Sequence, residues 1–178
     1  MTNAFSKQIE NRNFLTPLGF KFNLSRTPKV DFFSNSANIP GINLGVAIQP
    51  NYLKDIPIPG DKLSYDDFNL KFIVDENMEN YLEIHNWMRG LGYPESIAEY
   101  DQWRLSDPTN TSNPNVSDAT LIVYNSNYRS NITVKFKGLF PTSLSTIDFD
   151  STMTDVQYVT ATASFKYTLY DILTYEPG

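Results

Sequence analysis

The stretch "VTATASFKYTL", residues 159–169, alternates without a break. Val159, Ala161, Ala163, Phe165, Tyr167 and Leu169 fall on one side; Thr160, Thr162, Ser164, Lys166 and Thr168 fall on the other. A period of two places each set on its own face of a β-strand. The first face has the bulk of a core. The second is small and hydroxylated, and each hydroxyl buried without a partner would cost about 1–3 kcal/mol. That face is therefore expected to meet water. Just upstream, "FKGLFPTSLSTIDFD" (136–150) reads as a strand end, a turn and a restart. Gly138 breaks the run, and Pro141 holds Phe140 extended while donating nothing to a ladder. Ser143 and Ser145 suit a turn, after which Ile147 and Phe149 resume the alternation. Together the two stretches predict an antiparallel sheet that turns a corner and ends in one long strand.

The same periodicity extends outward along the chain. Phe20, Phe22 and Leu24 alternate with Lys21, Asn23 and Ser25, a half-buried strand. "KVDFFSNSANIPG" (29–41) is expected to form a second strand and "INLGVAIQ" (42–49) a third, bent at its glycine. "PNYLKDIPIPGDK" (50–62) carries three prolines and reads as a loop or edge segment. Phe68, Leu70, Phe72 and Val74 again alternate with polar residues. From Asp75 the period lengthens, with Met78, Tyr81, Leu82, Ile84, Trp87, Met88 and Leu91 near helical spacing. Asp75 as N-cap, Glu76 and Glu79 at the positive end, and Gly90 or Gly92 as terminator predict one helix over about 76–90. Residues 93–118 start with some helical character and become turn-rich, an exposed insertion. "ATLIVYN" and "NITVKFKG" flank "SNYRS", a hairpin. Residues 1–13 are polar and aperiodic, a flexible arm. The 178 residues read as a single domain.

Composition narrows function by exclusion. With 40% hydrophobic and 14% aromatic residues the chain buries a core. A net charge of −6 opposes a dedicated nucleic-acid binder, whose affinity comes from Lys and Arg displacing counterions. No cysteine is present, so disulfides and thiolate metal sites are out. No apolar run approaches membrane-spanning length, and "MTNAFSKQIENRNF" has no signal-peptide core. Four Asn-x-Ser/Thr matches, at Asn23, Asn110, Asn115 and Asn131, read as chance in an Asn-rich chain.

Catalysis finds no foothold. His85 is the only histidine, set mid-helix, and no nucleophile elbow accompanies it. "DFDSTMTD" (148–155) lacks the turn glycine and terminal glutamate of a calcium loop. Asp66 and Asp67 are neighbours on a strand and point to opposite faces, so they do not converge as a carboxylate pair. Asp75 and Glu76 serve the helix start. No catalytic, cofactor-binding or metal-ligating set is expected. Trp103, beside Arg104, is expected at the surface, where it would suit a carbohydrate-binding sandwich; Trp87 belongs to the helix face assigned to the core.

Two longer stretches, "IPIPGDKLSYDDFNLKFIVDENMENYLEIHNWMRGLG" (56–92) and "FKGLFPTSLSTIDFDSTMTDVQYVTATASFKYTLYDI" (136–172), resemble the tail tube proteins of contractile-tailed bacteriophages. The shared order is a Pro-Gly-Asp turn, an Asp-Asp-aromatic strand, an acidic helix start with a helical Trp, then Gly-Leu-aromatic-Pro-Thr before the final strand. The resemblance covers about residues 13–92 and 119–172. It implies a mainly β fold, an antiparallel β-barrel or sandwich with one flanking helix, similar to that of type VI secretion tubes. It also implies hexameric rings that join their sheets and stack inside a contractile sheath. The expected partners are further copies of the chain, sheath, tape-measure and baseplate proteins, and phage DNA passing non-specifically; no membrane is expected. The expected place is the virion tail, assembled in the host bacterial cytoplasm. On this frame Thr160, Thr162 and Ser164 are expected to line the lumen. Tyr52, Leu53, Pro57, Pro59 and Asp61 are expected to contact other subunits or rings. Lys71, Lys135, Lys137 and Lys166 sit beside Asp67 on polar strand faces, so either some strands face away from the lumen or its charge is mixed. A cap, initiator, terminator or baseplate ring of the same fold is the alternative within the class. A monomeric carbohydrate-binding β-sandwich is the alternative outside it.

Overall fold

A computed structural model of the chain describes residues 15, 19–31, 33–92, 95–105, 115–149, 152 and 158–174. The 1–13 arm, residues 106–114 of the insertion, and Asp150 and Asp155 of the acidic loop lie outside the described residues. The elements run β1 (Phe20–Leu24), α1 (Pro28–Asp31), β2 (Ser34–Ala37), β3 (Ile42–Gln49), β4 (Ile56–Tyr65), β5 (Phe68–Ile73), α2 (Glu79–Gly92), α3 (Ile97–Leu105), β6 (Ser117–Tyr124), β7 (Ser130–Leu144), β8 (Thr160–Lys166) and β9 (Leu169–Thr174). Seven strands form one antiparallel sheet ordered β1-β6-β7-β8-β5-β2, with β9 also on β7. β3 and β4 form a separate two-stranded hairpin.

β7 makes the sandwich. Its first part pairs with β6 and β9, and its last part, from Phe140 to Leu144, pairs with β8. The strand therefore does not end at Gly138, as its sequence suggests; it bends there and changes partners. Gly138 has a φ of +66°, a left-handed conformation that side chains resist. Its N–H turns to Asp118 Oδ1 at 3.1 Å, and Lys137 O accepts instead from Thr168 N at 3.0 Å. Pro141 is tolerated within the strand beside this irregularity. Residues 145–149, expected to restart a strand, stay outside any ladder. The long C-terminal alternation is likewise two strands. β8 and β9 run antiparallel to the two halves of β7, interrupted at Tyr167 and Thr168 opposite the Gly138 bend.

The bend brings the two halves of the sheet face to face, so the fold is an open sandwich and the sheets are not closed into a barrel. Phe68 of β5 sits at the centre, 5.3 Å from Phe22 of β1, 4.8 Å from Phe136 of β7 and 6.1 Å from Phe165 of β8, ring centre to ring centre. All four rings are essentially inaccessible to solvent, each contributing about 1.5–3 kcal/mol of hydrophobic stabilisation.

α2 covers one side of this core through Ile84 and Trp87. It begins at Glu79 and ends at Gly92, shifted from the expected 76–90. Met78 takes a φ of +57°, so the three preceding residues form a turn. Asp75 still caps, accepting from Asn80 N at 3.2 Å. Buried Asn80 ties the helix to β5 by donating from Nδ2 to Ile73 O at 2.8 Å. The segment after α2 departs most from expectation. α3 lies against α2, and Trp103, expected at the surface, is 9% exposed. Its ring occupies the space a side chain at Gly90 would need. The Arg26 guanidinium stacks over it at 4.0 Å and stands 5.6 Å from Trp87. α1 and the short β2 replace the single strand expected over 29–41.

Candidate functional site

Three surfaces follow from this architecture. The first is the outer face of the half-sheet β7-β8-β5-β2. Thr160, Thr162 and Ser164 alternate with core residues Ala161, Ala163 and Phe165, so the hydroxylated face is turned away from the core. All three are half-buried in the single chain. Ser164 pairs with Asn69 on one side and Ser143 on the other, and its hydroxyl donates to Asn69 Oδ1 at 2.6 Å. Thr162 pairs with Lys71, and its N–H donates to Ser145 Oγ at 2.9 Å. Lys166 on the same face is neutralised by Asp67 at 3.3 Å. Lys135 and Lys137 belong to the other half of the sheet, where Lys137 meets Asp171 at 3.2 Å. The four lysines are thus divided between two faces. At one end of the hydroxylated face, Phe33, Ile73, Ile147, Phe149 and Tyr158 line an apolar groove of about 710 Å³.

The second surface is the β3–β4 hairpin. Residues 56–62, expected as loop or edge, are strand. Pro57 and Pro59 are two apart, so both nitrogens face the same edge of β4; the ladder to β3 survives because that edge is the free one. Ile42, Leu44, Val46 and Ile48 stand opposite Tyr65, Leu63, Pro59 and Pro57. Directly opposed residues share a face, so the hairpin carries two apolar stretches, separated by the register shift between Leu44 and Val46 where Gly60, Asp61 and Lys62 intervene on β4. Apart from half-buried Tyr65 at the root, its large apolar side chains are exposed: Val46 is 67% and Ile48 66% exposed. Tyr52 and Leu53, at 98% and 90%, form the tip. Tyr52, Leu53, Pro57, Pro59 and Asp61 are therefore gathered on one projecting element, well separated in sequence and fold from the Thr162 face. The apolar residues of β3 belong with them and were not singled out from sequence, although their alternation carries the signal.

The third surface is the set of open edges. Among the described residues, β2 ends one half-sheet, and β1 and β9 end the other. Unpaired edges invite another strand unless they are covered. Ile172 and Leu173 on β9 are 52% and 45% exposed.

His85 is exposed on α2 beside Tyr81, Met88 and Arg89. Among the described residues no three His, Asp or Glu are grouped to hold a metal ion. Both tryptophans are buried, so neither presents an exposed indole to a sugar. No helix of the described residues is long and apolar enough to cross a membrane.

The family model for phage tail tube proteins matches residues 1–173. No curated protein sequence matches the chain. Among solved structures, the chain is similar to one in the cap that terminates the anti-feeding prophage tube, with a TM-score of 0.61 and 16% identity over 98% of this chain and 100% of that one. It is similar to a chain of the PVC extracellular contractile injection system in its extended sheath–tube complex, at TM-score 0.59 and 15% identity over 98% and 100%. A chain of the 6-fold symmetrised anti-feeding prophage baseplate gives 0.60 and 13% over 94% and 96%. At these identities the likeness is one of fold.

Proposed function

The chain belongs to the phage tail tube protein family, and from that premise we propose that it is the repeated subunit of a tail tube in the virion. Six copies close into a ring by joining sheet edges, and rings stack inside a contractile sheath. The tube holds the tape-measure protein and then conducts DNA. Assembly takes place in the host bacterial cytoplasm, with sheath and baseplate proteins as further partners. The role is structural, with no catalysis.

The observation that carries this reading is the hairpin. Its exposed Ile42, Leu44, Val46, Ile48 and Leu63 form a surface that soluble monomers avoid and that oligomers cover. Open edges at β2 and β9 supply the complementary means of joining sheets. The six-fold symmetry reported for the baseplate of similar fold supports a hexameric ring. Thr160, Thr162 and Ser164 are assigned to the lumen: a face of small hydroxyls, with Lys166 neutralised by Asp67, offers DNA few fixed cations to stick to. Tyr52, Leu53, Pro57, Pro59 and Asp61 are assigned, with the β3 apolar row, to contacts between subunits or rings.

Light scattering and negative-stain imaging of the purified chain test the proposal. Tubes of indefinite length are expected. Single rings that never stack indicate a cap, terminator or baseplate ring, and a strict monomer at high concentration removes the tube reading.

A further inference from the structure

The hairpin is long and nearly free of the body that carries it. Its ten-residue strand β4 spans roughly 33 Å at about 3.3 Å per residue. From Ile42 to Tyr65 every residue is exposed except half-buried Gly60 and Tyr65. A rotation of about 10° at the root would therefore move the tip by roughly 6 Å, given that rise per residue. What holds the root decides where the apolar face points.

The root is held by three tyrosines. Tyr170 Oη donates to Pro40 O at 2.9 Å, just before β3, and Tyr167 Oη donates to Asp66 O at 3.0 Å, just after β4. One hydroxyl thus ties each foot. The feet are joined to each other by Asp66 N donating to Gly41 O at 3.1 Å and by Asn43 Nδ2 donating to Asp66 Oδ1 at 3.2 Å. The Tyr65 ring packs against both Tyr167 and Tyr170, at 5.8 and 5.7 Å, and those two stand 5.8 Å apart. Phe136 of the core packs against both at 5.2 and 5.7 Å. A chain of aromatic contacts therefore runs from Phe68 at the centre of the sandwich to Tyr65, the last residue of β4. A single anchor would leave a pivot; two anchors on separate feet, with the Tyr65 ring packed against both, remove the swing. Burial, then the neighbouring tyrosines and Asp66 and Asp67, push the Tyr167 hydroxyl up to about 12, so it keeps its proton across the physiological range.

We propose that Tyr65, Tyr167 and Tyr170 are positioning residues that clamp the β3–β4 hairpin in one direction, presenting it preorganised to the next copy of the chain. This rests on the hairpin being the assembly arm. A swinging arm must lose its freedom on docking, which lowers affinity and slows growth; the clamp removes that loss before the encounter.

The chain has no cysteine, so labels can be placed cleanly. Nitroxides on Leu53→Cys at the tip and Ser126→Cys in the β6–β7 turn report the arm's direction by electron–electron distance measurement, at concentrations below assembly. One narrow distance is expected in the otherwise native chain. In Tyr167→Phe/Tyr170→Phe the rings remain but the hydroxyls are gone. The distance distribution should broaden, and amide exchange within 42–65 should rise by roughly tenfold. An unchanged width overturns the clamp. Should the double variant not fold, Tyr170→Phe alone frees one foot and must still broaden the distribution; an unchanged width there overturns the clamp equally. Elongation from wild-type seeds should slow by roughly tenfold in the double variant; undiminished elongation with a broadened arm overturns the link to assembly. The distance readout needs no tubes, so a wild-type chain that never assembles defeats the tube reading separately.

Discussion

Gly138 shows how much of the fold can rest on one residue. Its backbone φ of +66° is left-handed, and a Cβ there would come within 2.6 Å of Thr168 Oγ1. Gly138→Ala should lose about 1–2 kcal/mol from the backbone alone, lowering the melting temperature by roughly 2–4 °C per kcal/mol at this chain length. Calorimetry checks it; an unchanged melting temperature would show that the bend does not depend on glycine. Asp31 gives a different kind of handle. Burial raises its carboxyl from 3.8 to about 6, against the lowering effects of the Leu24 N–H and Lys21. The folded state therefore holds this proton more tightly than the unfolded state does. The resulting stabilisation is fully present below about pH 4, falls as pH rises through about 6, and leaves a constant penalty above. Asp31→Asn should match the parent near pH 4 and exceed it in stability at pH 7, read from urea midpoints. Parallel pH curves for the two proteins would contradict this. The sequence marks Gly138 as a break and Pro141 as an extended residue. It does not disclose buried Asn80 or half-buried Asp31, because tertiary packing decides whether a polar group is covered.

At the scale of elements, legibility followed the strength of the local pattern. β5 and α2 repeat apolar residues at clear periods: Phe68, Leu70, Phe72, Ile84 and Trp87 are buried as expected, whereas Leu82 is 45% exposed and Asn80 and Gly90 are buried in α2. α3 was read only as some helical character because it has almost no apolar stripe: Ile97 and Leu105 are 72% and 81% exposed, and Trp103 alone is buried. Its attachment is consequently concentrated in one side chain. Trp103→Ala should remove about 3–5 kcal/mol, seen as a lower urea midpoint; a change under 1 kcal/mol would mean that α3 is not docked. β4 falls on a segment that the sequence leaves open between loop and edge strand. Its prolines argue against a strand unless one edge is free, which the sequence cannot state. The hairpin's apolar face should matter to assembly and not to the subunit. Ile48→Asp should shift folding stability by no more than about 0.5 kcal/mol, as at other exposed sites, while tubes fail to form in negative stain. Hydrogen exchange of 42–65 should be slower in the tube than in the free subunit. Equal protection in both states would place the hairpin outside the interface.

For the whole molecule, one long bent ribbon of β7 against β8 and β9 links the three surfaces. One half of the ribbon carries the hydroxylated face, the other carries a free edge, and the bend between them holds the root of the arm. The alternation of residues 159–169 made the hydroxylated face legible at once. Whether that face looks into a channel is a property of the ring, which no single chain encodes locally. The direct measurement is thiol accessibility at Thr162→Cys in assembled tubes of this otherwise cysteine-free chain. A small reagent should label every ring, and one too bulky to enter should label only the tube ends. If the bulky reagent labels all rings as fast as the small one, the hydroxylated face is on the outside and the account is wrong.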